Sequence, residues 1–587
     1  MGSPLPLTSS TPMMSPKLLM VIVIVVLADG CRAPARLGPS AGPHEPYDLI
    51  IENGRVVDGT GAAWFYGDVA VNGDRIVRVT QHGVLHDVPA TQRVDASGLV
   101  VSPGFIDIQG QSGGLFLAGD GRDIGKISQG VTTEILGEGS TPAPLNPRQI
   151  AETLRGGGTV DTTLIRRFAE PHGFDNWLRA MQAHGISPNV GSFVGAGTIR
   201  VYGMGLAMGA ADGAALDTMR AAVRRAMEDG AFGMASALIY PPNTFASTEE
   251  LIEEAKAMSP YGGVYITHMR SEADKLLEAI DEAARIGKEG GVPVEIYHLK
   301  AAGVRNWPKE AAVIAKIDSA RATGLDIQAD MYPYTAGGTG LTSCLPPSAS
   351  ADGKLFDNLA DSVRRAKIRA EVAHPTSDWE DLCGQATPAN VLITDLRRPE
   401  NAQYIGKRLS EIGQMMGTDY LDAAMRLIAS EHRRVETIYF LMSEDNVKLQ
   451  LQQPWIKIGT DAAGPDPDSV HALLHPRSYG TYPRILGKYV REEHVLTLED
   501  AVRKMSSAVS TRLAIPDRGV LKPGMFADIV IFDPNTIIDR ATYEQPRQFS
   551  SGVRYVWVNG TLVWQDGRHT GAKPGRVIRG QGYIAPR

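Results

Sequence analysis

The feature that most constrains the fold of this chain is a rhythm of eight short apolar runs, most of them followed by a helix-patterned segment. The runs cover 100–109, 132–138, 189–195, 231–239, 263–269, 293–299, 325–331 and 455–461. Near-continuous apolar strands alternating with amphipathic helices demand a parallel sheet covered on its faces, hence an α/β protein. Eight such strands is the number that closes a TIM-like (β/α)8 barrel. The helices carry their own signals. Ser247 and Glu250 have the spacing of a capping box before Leu251 and Ile252. Pro308 suits a first helical turn, and Gly290-Gly291 ends a helix that starts near Ser271.

Two β-rich segments flank this middle. Asp48 to Val57 alternates around a turn at Asn53-Gly54, and Asp68 to Val79 around Asn72-Gly73-Asp74. Ala527–Asp533 and Val553–Gly560 repeat the pattern near the other end. The expectation is one small β-sandwich domain built from both chain ends, 47–101 with 515–587, around a barrel at 102–514. One connection is too long for a simple loop. Residues 336–454, with a strand-like Val391–Thr394 and a helical 419–432, read as an inserted lid after the seventh strand.

The N-terminus has its own grammar. Lys17 precedes an apolar run from Leu18 to Ala28, too short to span a bilayer but suited to a secretory signal. Ala28, Gly30 and Cys31 resemble a lipoprotein cleavage site, with Cys31 as the lipidated residue and possible point of membrane attachment. Residues 1–31 therefore read as an export signal and the Pro/Gly/Ala-rich 32–46 as a linker, placing the chain in a bacterial periplasm or on its membrane. Cys344 and Cys383 remain, either as one bridge or as two unpaired thiols. A formal net charge of -7 without a long basic run argues against a nucleic-acid partner.

In a barrel of this kind chemistry gathers at the C-terminal strand ends. His268 ends Val264-Tyr-Ile-Thr-His268 with Arg270 two residues on, and His298 ends Val294-Glu-Ile-Tyr-His298 with Lys300 two residues on. Strand alternation would put each cation on the face of its histidine. Asp461 ends Ile456-Lys-Ile-Gly-Thr-Asp461. Two imidazoles and a carboxylate at the ends of three strands can converge on one zinc that keeps a position open for water.

Several motifs in this order carry a resemblance. Val101-Ser-Pro-Gly-Phe-Ile-Asp107, Thr267-His268-Met-Arg270, His298-Leu-Lys300, Asp330-Met-Tyr332-Pro-Tyr334, Gly459-Thr-Asp461 and His475-Pro-Arg477-Ser-Tyr-Gly480 resemble the N-acyl-D-amino-acid deacylase (D-aminoacylase) branch of the amidohydrolase superfamily. Gly519-Val-Leu-Lys-Pro-Gly-Met-Phe-Ala-Asp528 is similar to that superfamily's C-terminal sheet motif. Two positions depart. The family's His-x-His is Gln109-Gly110-Gln111 here, and a neutral amide is a poor zinc ligand, which removes a second metal site. Where the family places a cysteine ligand after the second strand, this chain has Gly139, with Glu138 one residue earlier.

The resemblance implies one zinc held by His268, His298 and Glu138, with Asp461 as general base. It further implies a substrate carboxylate received by Lys300, Arg477 and a tyrosine of Tyr332-Pro-Tyr334, Arg270 being an alternative to Arg477. The substrate would be a small N-acyl-D-amino acid. Hydrolysis of cyclic amides or D-dipeptides, or an inactive binding homologue, are the competing readings.

Overall fold

The computed structural model describes residues 46–155, 161–375 and 379–585. The export signal, Cys31 and nearly all of the linker lie outside the described residues. No helix among the described residues is long and apolar enough to cross a membrane.

The chain opens with five strands: β1 (Tyr47–Val56), β2 (Phe65–Asn72), β3 (Arg75–Gln81), β4 (Ala90–Asp95) and β5 (Val100–Pro103). The expected turn at Asn53-Gly54 is not a turn. It is an irregularity inside β1, where the register on β2 shifts between Ile51 and Gly54 and Asn53 takes a φ of 65°. Gly54 is required there, because a Cβ would stand 2.4 Å from Val101 Cγ2. Asn72-Gly73-Asp74 does turn β2 into β3.

The parallel middle follows: β6 (Phe105–Asp107), β7 (Val131–Leu136), β8 (Asn189–Ser192), β9 (Val194–Gly195), β10 (Gly233–Ala237), β11 (Val264–His268), β12 (Val294–Ile296) and β13 (Ile327–Met331). The insertion holds β14 (Ala336–Gly340), β15 (Val391–Asp395) and β16 (Glu436–Phe440). Then come β17 (Ile456–Ile458), β18 (Ile529–Phe532), β19 (Val553–Val558), β20 (Thr561–Gln565) and β21 (Arg568–His569).

Both chain ends build one nine-stranded sheet in the order β21-β20-β19-β18-β5-β1-β2-β3, with β4 on β1. Leu49, Ile51, Val69, Val101, Ile529 and Trp557 form a core of this sheet. In the middle, β6-β7-β8 pair in parallel, as do β9-β10-β11-β12-β13-β17. A parallel bridge from Gly110 to Ala462 joins the segments that follow β6 and β17. All eight expected runs thus contain strands, and the protein is mixed α/β.

The helix signals are refined at three points. Pro308 lies inside a 3-10 turn, Val304–Lys309, that leads into the helix Glu310–Ala322, instead of in that helix's first turn. Ser247 accepts from the Glu250 amide, but the Glu250 carboxylate binds Arg200 instead of closing a capping box. The helix expected near Ser271 runs Leu276–Gly290 and stops at Gly291, whose φ is 69°.

The insertion carries its own antiparallel sheet, β14-β16-β15, and its own apolar cluster, including Leu341, Ile393, Leu409 and Ile428. A disulfide between Cys344 and Cys383 crosslinks it, which resolves the two open readings of these thiols.

Candidate active site

Glu138, His268, His298 and Asp461 all stand at or just beyond the C-terminal ends of parallel strands, β7, β11, β12 and β17. Glu138 reaches the centre because glycines flank it. Gly137 has a φ of 120° and a Cβ there would meet Phe193 O at 2.4 Å; Gly139 has a φ of 66° and packs against Ala237. This turn aims the carboxylate inward from one residue before the position at which the resemblance places a cysteine, as expected of Glu138. His298 and Asp461 also have positive φ, 34° and 49°. Non-glycine residues held there cost roughly 1–3 kcal/mol each, a strain characteristic of functional sites.

Glu138 Oε1 lies 3.3 Å from His268 Nδ1 and 3.2 Å from His298 Nε2. The three ligand atoms fall within 4.8 Å of one another. Ligands about 2.0–2.1 Å from a tetrahedral zinc are separated by about 3.3 Å, so this donor set fits such an ion. His298 is backed by a residue the sequence reading missed. Glu272 places Oε1 2.9 Å from His298 Nδ1, the carboxylate-behind-imidazole arrangement that orients metal-binding histidines, while its Oε2 stays 3.7 Å from His268 Nε2, too far for a hydrogen bond. Its four-residue distance from His268 on an irregular segment gave no periodic signal. Asp330 Oδ1 accepts from the His298 backbone amide at 2.9 Å and fixes that strained residue.

The strand-end pattern groups Asp461 with the two histidines around one metal. Among the described residues the metal-ready set is Glu138, His268 and His298 instead, and Asp461 stands beside it. Burial raises the Asp461 pKa and Glu138 adds to the rise, while Arg477 opposes it. Burial would raise Glu138 too, but hydrogen bonds from His268 and His298 hold it well below the usual carboxylate range.

The expected carboxylate receptors separate. Arg477 lines the cavity, with Nη1 2.8 Å from Asp461 Oδ2 and its guanidinium 4.6 Å from the centre of the Tyr332 ring. Its Nη1 pairs with that carboxylate, its Nη2 donates to Gly338 O at 3.2 Å, and its Nε is buried without a hydrogen-bond partner. Tyr332 lines the same cavity. Lys300 lines it as well, but not as a free cation: its Nζ donates to Glu272 Oε1 at 2.6 Å and lies 2.7 Å from His298 Nδ1.

Two expectations are corrected. Arg270 does not line the cavity; its guanidinium binds Glu282 and the carbonyls of Thr244 and Ala246. Tyr334 is also absent from the lining, and its hydroxyl faces Asp539 Oδ2 at 3.4 Å.

The cavity has a volume of about 810 Å³ and is walled on one side by the insertion, through Thr339, Arg434, Glu436 and Tyr439. Tyr240 links the two sides, edge-on to His268 at 5.2 Å and donating to Thr339 Oγ1 at 2.9 Å. His475 is held neutral by burial and by the nearby Arg477, its Nδ1 accepting from the Arg477 amide at 3.1 Å.

A parallel α/β frame with three convergent metal-ligand atoms, a carboxylate beside them and an arginine paired with that carboxylate defines a site of the metal-dependent hydrolase class. The comparisons agree. An amidohydrolase family model matches residues 384–564. D-aminoacylase of Alcaligenes xylosoxydans xylosoxydans is 34% identical over 545 residues, 92% of this chain and 99% of that protein. N-acyl-D-aspartate deacylase of the same organism is 34% identical over 534 residues, 90% of this chain and 95% of that protein. The crystal structure of N-acyl-D-glutamate deacylase from Bordetella bronchiseptica, with zinc and a phosphonate mimic of the tetrahedral intermediate, superposes with a TM-score of 0.74 at 31% identity, covering 91% of this chain and 100% of that one. The chain belongs to the D-aminoacylase family of amidohydrolases.

Proposed function

We propose that the protein is a zinc-dependent hydrolase of the amide bond in N-acyl-D-amino acids, releasing a carboxylate and a D-amino acid. The observation that carries this reading is the convergence of Glu138, His268 and His298 within 4.8 Å, beside Asp461 and Arg477 in one cavity. Relatives at 34% identity over nearly their whole length, named as D-aminoacylase and N-acyl-D-aspartate deacylase, support the substrate class.

We further read the parallel strands as a closed (β/α)8 barrel at 102–514, the bridge between Gly110 and Ala462 supporting closure. The sheet of both chain ends is its companion domain and 336–454 is a lid over the strand ends. Export through residues 1–31, with lipidation of Cys31, completes the proposal and places the activity in the periplasm.

A bound zinc would supply Lewis acidity, activating water and polarising the scissile carbonyl. Glu138, His268 and His298 would hold it, and Glu272 orients the His298 imidazole from behind. Asp461 takes the proton of the attacking water and returns it to the departing amine, a role its burial-raised pKa suits. Arg477, at the cavity wall, binds the substrate's free carboxylate while Tyr332 supports the guanidinium face. Lys300 adds positive potential at the cavity wall and holds Glu272 in place.

A panel of N-acetyl-D-amino acids, their L-enantiomers, D-dipeptides and hydantoins tests the assignment. Turnover led by N-acetyl-D-amino acids agrees with it. Turnover led by hydantoins or D-dipeptides supports the cyclic-amide or dipeptidase alternatives instead.

A further inference from the structure

We infer that Gln109 and Gln111 are positioning residues that clamp Glu138 as a one-oxygen ligand and restrict the site to a single metal ion. The inference rests on the hydrolase reading above and concerns the two glutamines that stand where the resemblance places His-x-His.

The two oxygens of Glu138 have separate partners. Oε1 faces both histidines, at 3.3 and 3.2 Å. Oε2 accepts from Gln109 Nε2 and from Gln111 Nε2, each at 2.8 Å. Two amide donors on one carboxylate oxygen fix its plane and leave Oε1 as the oxygen presented to a metal. An amide nitrogen has no lone pair free to bind a metal, so Oε2 is capped by groups that cannot themselves become ligands. Gln111 Nε2 also lies 3.4 Å from Asp461 Oδ1, so N–H groups occupy the space between the two carboxylates that a second cation would need.

The orientation of Gln109 is informative. The residue is 1% exposed, and its side-chain carbonyl Oε1 is buried without a hydrogen-bond partner. A reversed amide would set that carbonyl against an ionised carboxylate. The protein thus tolerates an unpaired buried carbonyl in order to keep the donor on Glu138, a trade that makes sense for a positioning role.

The backbone secures the clamp. Gln109 O accepts from Asp461 N at 2.8 Å, Gln111 N donates to Ala462 O at 3.1 Å, and Gln109 N donates to Asp107 Oδ1 at 3.1 Å. The same short segment therefore sets both the ligand Glu138 and the base Asp461.

The test uses Gln109→Met and Gln111→Met, singly and together, which keep the side-chain length and remove the donors. Zinc affinity is measured by chelator competition, zinc content by elemental analysis, and the melting temperature on metal-depleted protein. The expected result is about 10- to 100-fold weaker zinc binding in the double variant, the usual cost of losing partners of a metal ligand, with the metal-depleted melting temperature unchanged. Gln111→Met, at a solvent-exposed residue, carries the test if the double variant does not fold. A second arm, Gln109→His with Gln111→His, is expected to raise zinc content from one to two per chain. Wild-type affinity in folded Met variants, or two zinc ions in the wild type, overturns the inference and leaves the hydrolase reading standing. A wild-type protein that binds no zinc overturns the hydrolase reading itself, and the inference with it.

Discussion

Arg477 Nη1 lies 2.8 Å from Asp461 Oδ2, with neither side chain more than about one-seventh exposed. The residue assigned to receive the substrate's carboxylate thus also touches the residue assigned to move the proton. Ground-state binding and chemistry are coupled at this pair, and substitutions on its two sides should separate them.

Asp461→Asn keeps the backbone, because Asn tolerates the left-handed conformation that Asp461 adopts at a φ of 49°. It removes the proton acceptor, so kcat should fall by about 10²- to 10⁴-fold. Zinc content should stay at the wild-type level, because Asp461 is not among the three convergent ligands. Undiminished turnover with zinc retained would reject Asp461 as the base.

Arg477→Lys retains a positive charge near Asp461 but loses the planar fork that binds a carboxylate through two hydrogen bonds. KM for N-acyl amino acids should rise by about 10-fold or more, while substrates with a carboxamide in place of the carboxylate should change far less. Equal changes in both series would show that Arg477 acts only through Asp461.

The strand rhythm was legible because parallel strands bury both faces and leave no alternation to confuse with helix. Which side chains enter the site was less legible, because strand alternation stops where the strand stops. β11 ends at His268, so Arg270 escapes the two-residue rule and turns to Glu282. β13 ends at Met331, and Tyr334, beyond Pro333, turns to Asp539. Lys300 follows His298, whose positive φ breaks the strand geometry, and its ion pair with Glu272 is a contact between two irregular segments that no local pattern records. Glu138 could be named because a carboxylate next to the second strand stood beside the missing cysteine. Its glycine-flanked turn toward the centre needed coordinates.

Glu310 offers a stability test far from the metal ligands. Burial raises its pKa from 4.5 to about 7, against the hydrogen bond from Gln450, which favours the carboxylate. A carboxyl with a raised folded-state pKa contributes most when protonated, so stability falls as pH rises from 4.5 to about 7 and stays low above that. The loss at pH 8 is on the order of 3 kcal/mol. Glu310→Gln should therefore stabilise the protein at pH 8 and have little effect near pH 4.5, as read from melting temperatures at both. A pH-independent difference would contradict the burial argument.

The Cys344–Cys383 bridge closes a span of 39 residues inside the insertion. Cys344→Ser with Cys383→Ser should lower stability by about 2–4 kcal/mol in denaturant unfolding, through the freer unfolded chain. Peptide mapping without reductant should recover the crosslinked pair from the wild type, and free thiols at both positions would contradict the bridge.

The most direct test of the central claim is zinc titration into metal-depleted protein, following bound metal and hydrolysis of an N-acetyl-D-amino acid together. Both should rise in parallel and saturate at one zinc per chain, and His298→Ala, which removes a ligand, should abolish both. Full hydrolysis in the metal-depleted protein, or zinc bound without any gain in hydrolysis, would contradict a zinc hydrolase built on Glu138, His268 and His298.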